Sequence, residues 1–131
     1  MYCKDVKVVF DPYTLFPSYG ENSITITFEG MNLKLNMIFD SQVEPEESYA
    51  TIIFRNVCFH KFASFPGIDD SNIKIEKYDD ITSLVEFQYS DFKTSWEKHF
   101  NYNFRFKHYR IIFPNANHIL EVVCEDISIV D

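Results

Sequence analysis

Histidine and cysteine are the residues of this sequence whose side chains do chemistry near neutral pH. Cys58 and His60 lie two positions apart and would share one face of a strand, the one local pair with metal-ligand chemistry. A zinc site there would need a third ligand from Cys124 or a distant histidine. His118 and Glu121 have ligand spacing only on a helix, and they face opposite sides of the strand predicted for them. We therefore predict neither a metal site nor a cofactor.

Nucleophilic catalysis also lacks a recognisable motif. The chain contains no GxSxG and no HExxH. Its three glycines, Gly20, Gly30 and Gly67, lie too far apart to form a glycine-rich loop around a phosphate. His99, near the end of a predicted helix, suits an interaction with the terminal carbonyls better than catalysis. The sequence therefore predicts a protein that is not an enzyme.

The net charge of the chain limits the partners that it can bind. Twelve basic and twenty acidic residues give a net charge of -8, which opposes nucleic acid as a partner. The acidic residues gather in stretches that are typical of loops, and the candidate partner-binding carboxylates are Asp40, Glu44, Glu46, Glu47, Asp69, Asp70, Asp79 and Asp80. Carboxylates of this kind would favour a basic protein partner.

One segment has the opposite charge. Residues 91–110 carry five basic and two acidic residues, a net charge of +3, which leaves -11 for the rest of the chain. Strand alternation predicts that Arg105, Lys107 and Tyr109 form an outward row and that Phe104 and Phe106 face the core. The row is a further candidate binding surface, able to contact an acidic partner or the chain's own carboxylates.

The elements that must position these residues are mostly strands. Alternating apolar residues over 23–29 and 33–37 predict a hairpin across Gly30. The run 49–59 predicts a strand that is buried on both faces or bent by a bulge near Arg55 and Asn56. Further strands are predicted over 72–78, 83–89, 104–113 and 118–124, the last two as a hairpin that residues 127–130 extend or follow.

A single helix interrupts this pattern. Phe92, Trp96 and Phe100 recur at four-residue spacing, which predicts a helix over 91–100 with Ser90 or Asp91 as its N-cap. The whole chain, residues 1–131, is predicted to be a single all-β or β-rich α+β domain. Its expected architecture is an antiparallel β-sandwich or strongly curved sheet of seven to nine strands with one short helix.

The compartment follows from the cysteines and from hydropathy. Cys3, Cys58 and Cys124 cannot all pair within one chain, so reduced thiols are expected. No run approaches the roughly 20 apolar residues of a membrane helix, and the first residues lack the apolar core of a signal peptide. We therefore expect a cytoplasmic protein that does not enter a membrane.

The closing hairpin, 106–124, resembles the endings of small bacterial β-rich proteins that include immunity proteins of polymorphic toxin systems. This resemblance implies a non-enzymatic cytoplasmic protein that binds and blocks a cognate toxin. Our leading hypothesis is therefore an immunity or inhibitor protein for a basic toxin. The alternative is a β-sandwich module that binds a small ligand or carbohydrate through exposed rings, with Trp96 and Tyr109 lining a concave pocket.

Overall fold

The computed structural model describes residues 3–10, 18–41, 47–64, 84–113 and 118–130. These residues form nine strands and one helix. In chain order the elements are β1 (Cys3–Phe10), β2 (Ser18–Glu29), β3 (Asn32–Ser41), β4 (Glu47–Arg55), β5 (Phe59–Ser64), β6 (Leu84–Ser90), α1 (Asp91–His99), β7 (Lys107–Phe113), β8 (His118–Cys124) and β9 (Asp126–Val130).

The strands form two antiparallel sheets packed as a sandwich. One sheet has five strands in the order β1-β6-β7-β8-β5, and the other has four in the order β2-β3-β4-β9. Side chains from both sheets meet in one apolar core, whose fully buried members include Leu33, Leu35, Ile52, Phe54, Leu84, Ile111, Leu120 and Val122. The predicted all-β fold with one short helix is confirmed.

The β2–β3 hairpin forms where the sequence predicts it. Leu33, Leu35 and Met37 of β3 are buried in the core, while the residues between them are only partly buried. Gly30 in the connecting turn has a φ of 60°, a conformation that glycine adopts without steric cost.

The run 49–59 is not one strand. It divides into β4 and β5, which belong to different sheets. β4 alternates, with Ala50, Ile52 and Phe54 buried and their neighbours more exposed, so it is neither buried on both faces nor bulged. The chain turns at Asn56, whose φ of 53° lies in the left-handed region. The prediction of a single strand was wrong because periodicity does not show which sheet a strand joins.

The helix and the closing hairpin agree with the sequence. Helix α1 begins after its N-cap Ser90, whose side chain accepts a hydrogen bond from Lys93 N. β7 and β8 pair over their whole length, from Lys107 opposite Cys124 to Phe113 opposite His118. β9 does not extend β8, because it joins the four-stranded sheet beside β4.

Within the described ranges, no helix is long and apolar enough to cross a membrane. The predicted strand over 72–78 and the turn over 114–117 lie outside the described residues.

Candidate functional site

The outer face of the five-stranded sheet holds a group of buried polar side chains. His108 and Arg110 lie two positions apart on β7, and Glu121 lies on the neighbouring strand, directly opposite Arg110. His108 and Arg110 are fully buried and Glu121 is 2% exposed. Ser90, at the end of β6, is buried beside them. We call these four residues the buried polar cluster.

Ser90, His108 and Glu121 form a chain of polar contacts. Ser90 Oγ lies 2.7 Å from His108 Nδ1, and His108 Nε2 lies 3.5 Å from Glu121 Oε2. Ser90 Oγ also accepts a hydrogen bond from Lys93 N at 3.2 Å, so this one oxygen contacts both α1 and His108.

A hydroxyl, an imidazole and a carboxylate in line are the groups that activate a nucleophile. In this chain Ser90 is 5% exposed, so its hydroxyl is not presented to solvent. Its oxygen is also engaged at the N-terminus of α1, and Thr94 Oγ1 donates to the Ser90 carbonyl at 3.0 Å. The contacts instead connect the first turn of α1 to the central strands of the sheet.

Aromatic rings enclose the buried polar cluster. His108 packs against the rings of Phe87, at 4.8 Å between centroids, and Phe92, at 5.5 Å. The Arg110 guanidinium carbon lies 5.5 Å from the Phe87 centroid, within range of a cation–π interaction. Phe92 also stacks on Phe59 of β5. These contacts hold α1 against the outer face of the sheet.

Replacing Ser90 by alanine is expected to lower the free energy of unfolding by about 2 to 3 kcal/mol. The variant loses the N-cap of α1, a change of about 1 kcal/mol, and leaves buried His108 Nδ1 without the Ser90 hydroxyl. Urea denaturation followed by circular dichroism measures the change. Ser95→Ala, at an exposed position of the same helix, is the control and should change stability little. Equal effects of the two variants would contradict this interpretation.

Cys58 and His60 do not form a ligand pair. Cys58 precedes β5, is partly buried, and lies with its Sγ 3.5 Å from the Val123 carbonyl. His60 is exposed, and its ring packs against Phe28 of the other sheet at 5.0 Å. In the part of the chain that the structure describes, no group of three or more His, Cys, Asp or Glu residues is placed to hold a metal ion.

Burial raises the pKa of the Cys58 thiol to about 11. We therefore expect iodoacetamide to alkylate Cys58 about a hundredfold more slowly at pH 8 than an unfolded cysteine, because the thiolate is the reactive form. Peptide mapping by mass spectrometry would give the rate for this residue. Urea should restore the ordinary rate, and fast labelling of the folded protein would refute the expectation.

Tyr109 is not on an outward row. It is 2% exposed, and its ring packs in the core against Phe54 of the other sheet at 6.0 Å. The prediction was wrong because β7 is a central strand with buried residues on both faces. Trp96 lies on α1, over the opposite face of the sheet. The structure therefore does not bring Trp96 and Tyr109 together to line a pocket.

Arg105 and Lys107 are exposed, as expected. Arg105 precedes β7, so the two residues do not continue one strand face. Phe106 is buried, but Phe104 is 44% exposed rather than part of the core. Strand alternation fails for 104–106 because these residues lie in the connection from α1, where period two does not apply.

The outer face of the four-stranded sheet differs from that of the five-stranded sheet. Alternation on β2, β3, β4 and β9 directs the more exposed residues away from the core, and none of them is fully buried. Tyr49 is 60% exposed and lies opposite Ile38, while Val130 is 55% exposed and lies opposite Thr51. We call this surface the open face; its described members are Thr25, Thr27, Lys34, Asn36, Ile38, Tyr49, Thr51, Ile53, Ser128 and Val130.

Two predicted partner-binding residues occupy opposite register positions in the β3–β4 ladder. The register pairs Asp40 of β3 with Glu47 of β4, two positions beyond the pair formed by Ile38 and Tyr49. At the other end Arg55 contacts Asp126 at 3.3 Å and Ser128 at 2.8 Å. The remaining predicted carboxylates lie outside the described residues: Glu44, Glu46, Asp69, Asp70, Asp79 and Asp80.

The fold and these surfaces define an antiparallel β-sandwich with one helix, a closed polar face and an open face. Comparison with known proteins places the chain in no family: no protein-family model matches it, and neither does any curated protein or solved structure.

Proposed function

We propose that this chain is a protein-binding domain whose open face docks on a basic protein. In its specific form, the proposal is that the domain is an immunity or inhibitor protein that neutralises a cognate toxin. The observation that carries it is the contrast between the two outer faces. Polar groups suited to catalysis are buried on one face, whereas the other exposes Tyr49, two register positions from Asp40 and Glu47.

The composition of the open face suits a protein partner. Tyrosine is enriched among the residues that dominate binding energy, because its ring buries a large area and its hydroxyl forms hydrogen bonds. Tyr49 lies beside Ile38 and near Thr51, which supply apolar and polar contacts at the same surface. The face is a regular sheet, so little ordering is needed on binding.

Charge selects a basic partner. Asp40 and Glu47 are directly opposite in the ladder, a placement in which like charges destabilise a sheet. The five residues 42–46, which join the two strands, add Glu44 and Glu46. We expect a cationic side chain of a partner to be attracted to acidic residues at these register positions, which would also speed association.

The test is co-expression with the product of the gene adjacent to the one that encodes this chain. If that product is toxic, the wild-type chain should restore growth. Tyr49→Ala should abolish protection and weaken binding to the purified partner by about thirtyfold, the effect of an interface residue worth about 2 kcal/mol. Tyr89→Ala is the matched control, since Tyr89 is similarly exposed but lies on the other sheet.

A second variant tests the role of charge. Asp40→Asn with Glu47→Gln should slow association several-fold and reduce its dependence on salt, while leaving dissociation nearly unchanged. The proposal fails if no partner is captured, if the captured partner is acidic, or if the Tyr49 and Tyr89 variants bind equally well.

A further inference from the structure

A second surface lies at the C-terminal end of α1, and we name it the aromatic–basic loop. Its members are Lys98, Tyr102, Phe104 and Arg105. Tyr102 is 55% exposed and Phe104 is 44% exposed, so two large rings face solvent within three residues. Lys98 and Arg105 are also exposed, and neither takes part in an ion pair among the described residues.

The loop is held in one shape. Asn101 N donates to the Lys98 carbonyl at 3.0 Å and Tyr102 N donates to the Glu97 carbonyl at 2.7 Å, the pair of bonds that closes a Schellman helix end. Glu97 Oε2 accepts from Phe106 N at 3.0 Å, which ties the far end of the loop back to the helix.

Packing between phenylalanine rings stabilises the same loop conformation. Phe100 packs edge-on against Phe104 at 5.5 Å and against Phe106 at 5.9 Å, and Phe106 is buried. The exposed ring of Phe104 is therefore held in place by its contact with Phe100. A partner that binds here would meet a surface that is already ordered, which lowers the entropic cost of binding.

Tyr102 has a strained backbone. Its φ is 59°, in the left-handed region that bulky residues rarely adopt. Asn101, with a φ of 55°, already supplies the left-handed residue that ends the helix. This backbone conformation brings no burial of the Tyr102 side chain, which is more than half exposed. Strain that persists without a packing gain is typical of positions where function requires the geometry.

We propose that the aromatic–basic loop binds an acidic segment of a partner protein. The loop lies within residues 91–110, which carry a net charge of +3 in a chain of net charge -8. Arg110 is buried, and the exposed cations of this segment are Lys98, Arg105 and Lys107. Two cations beside two rings match a short peptide that combines carboxylates with an apolar side chain. A nucleic acid strand fits less well, because its binding requires many phosphate contacts and the chain is strongly acidic. This proposal is independent of the open face.

The fluorescence of Trp96 can report binding at the aromatic–basic loop. It is the one tryptophan of the chain, and its ring lies 6.3 Å from Phe100, under the loop. Titration with a short synthetic peptide of Asp, Glu and Leu should change the Trp96 emission with a saturating curve that weakens as salt is added. A peptide with Asn and Gln in place of the acids should produce no change.

Two variants separate binding from folding. Lys98→Glu with Arg105→Glu should weaken peptide binding at least tenfold, whereas Lys34→Glu, on the open face, should not. Tyr102→Gly should weaken binding similarly without lowering the melting temperature, because glycine relieves the left-handed strain.

Several results would overturn the proposal. One is that the wild-type chain does not bind the acidic peptide. Another is that Tyr102→Gly melts lower and binds normally, which would make the residue structural. A third is that a single-stranded oligonucleotide binds more tightly than the peptide. The last is that the Trp96 emission changes with protein concentration alone, which would identify the occupant as a second copy of the chain.

Discussion

Glu121→Leu is expected to lower the free energy of unfolding by about 3 kcal/mol, because it removes a buried carboxylate from beside two buried basic side chains, Arg110 and His108. Arg110 lies directly opposite Glu121 in the β7–β8 ladder and is fully buried. Its guanidinium stays charged at any pH at which the protein folds. The substitution also removes the carboxylate oxygen that lies 3.5 Å from His108 Nε2. Urea denaturation followed by circular dichroism measures the loss.

A double variant shows whether charge is the cause. Arg110→Met combined with Glu121→Leu replaces both charges by apolar side chains of similar volume, so it should recover much of the stability lost in the single variant. Glu29→Leu, at an exposed position of β2, is the control and should change stability by less than about 0.5 kcal/mol. If the double variant is less stable than Glu121→Leu, the charge explanation is incorrect.

Raising the pH from 9 to 11 is expected to lower the free energy of unfolding by about 4 kcal/mol through Tyr109 and Cys124 together, with a further decrease from Cys58. Burial raises the pKa of Tyr109, with further increases from nearby Cys124, Glu86 and Asp126. Burial likewise raises the pKa of Cys124, assisted by Asp126 and Cys58. The ordinary values are 10.0 for the tyrosine and 9.0 for the thiol. Above them the unfolded chain releases protons that the folded chain retains, so stability falls with rising pH.

The contribution of each group is measurable. Tyr109→Phe should remove about 1.4 kcal/mol of the decline between pH 9 and 11, because the variant has no proton to lose at this site. Tyr89→Phe alters an exposed tyrosine and serves as the control, with the wild-type decline expected. Denaturation curves at a series of pH values provide the comparison. A stability that stays flat over this range would show that neither buried group stays protonated.

The sandwich could be predicted from the sequence because a strand buried on one face has apolar residues at every second position. β3 and β4 alternate clearly, and α1 has both its N-cap serine and its four-residue ring spacing. Periodicity does not show which sheet a strand joins. β5 and β9 each follow a strand of the other sheet, and only pairing between distant segments decides where they join.

The buried polar cluster was missed for a related reason. His108 and Arg110 lie at the same alternate positions as Phe104 and Phe106, which were predicted to face the core. This shared alternation was the one sequence feature that indicated their burial. Charged side chains are seldom buried, and the buried carboxylate of the cluster, Glu121, lies on another strand. The opposition of Asp40 and Glu47 also depends on register. A shift by one residue would separate them.

The crossing of the chain between sheets at Asn56 has a consequence for folding. A second crossing, from β8 to β9, lies beside it, and the Glu125 amide donates to the Arg55 carbonyl at 3.0 Å. Along the chain, β9 of the four-stranded sheet comes after β5, β6, β7 and β8 of the five-stranded sheet. Neither sheet is built from one continuous stretch of the chain. The two should form in a single cooperative transition, and the many distant pairings should make that transition slow compared with folding of a helical protein of the same length.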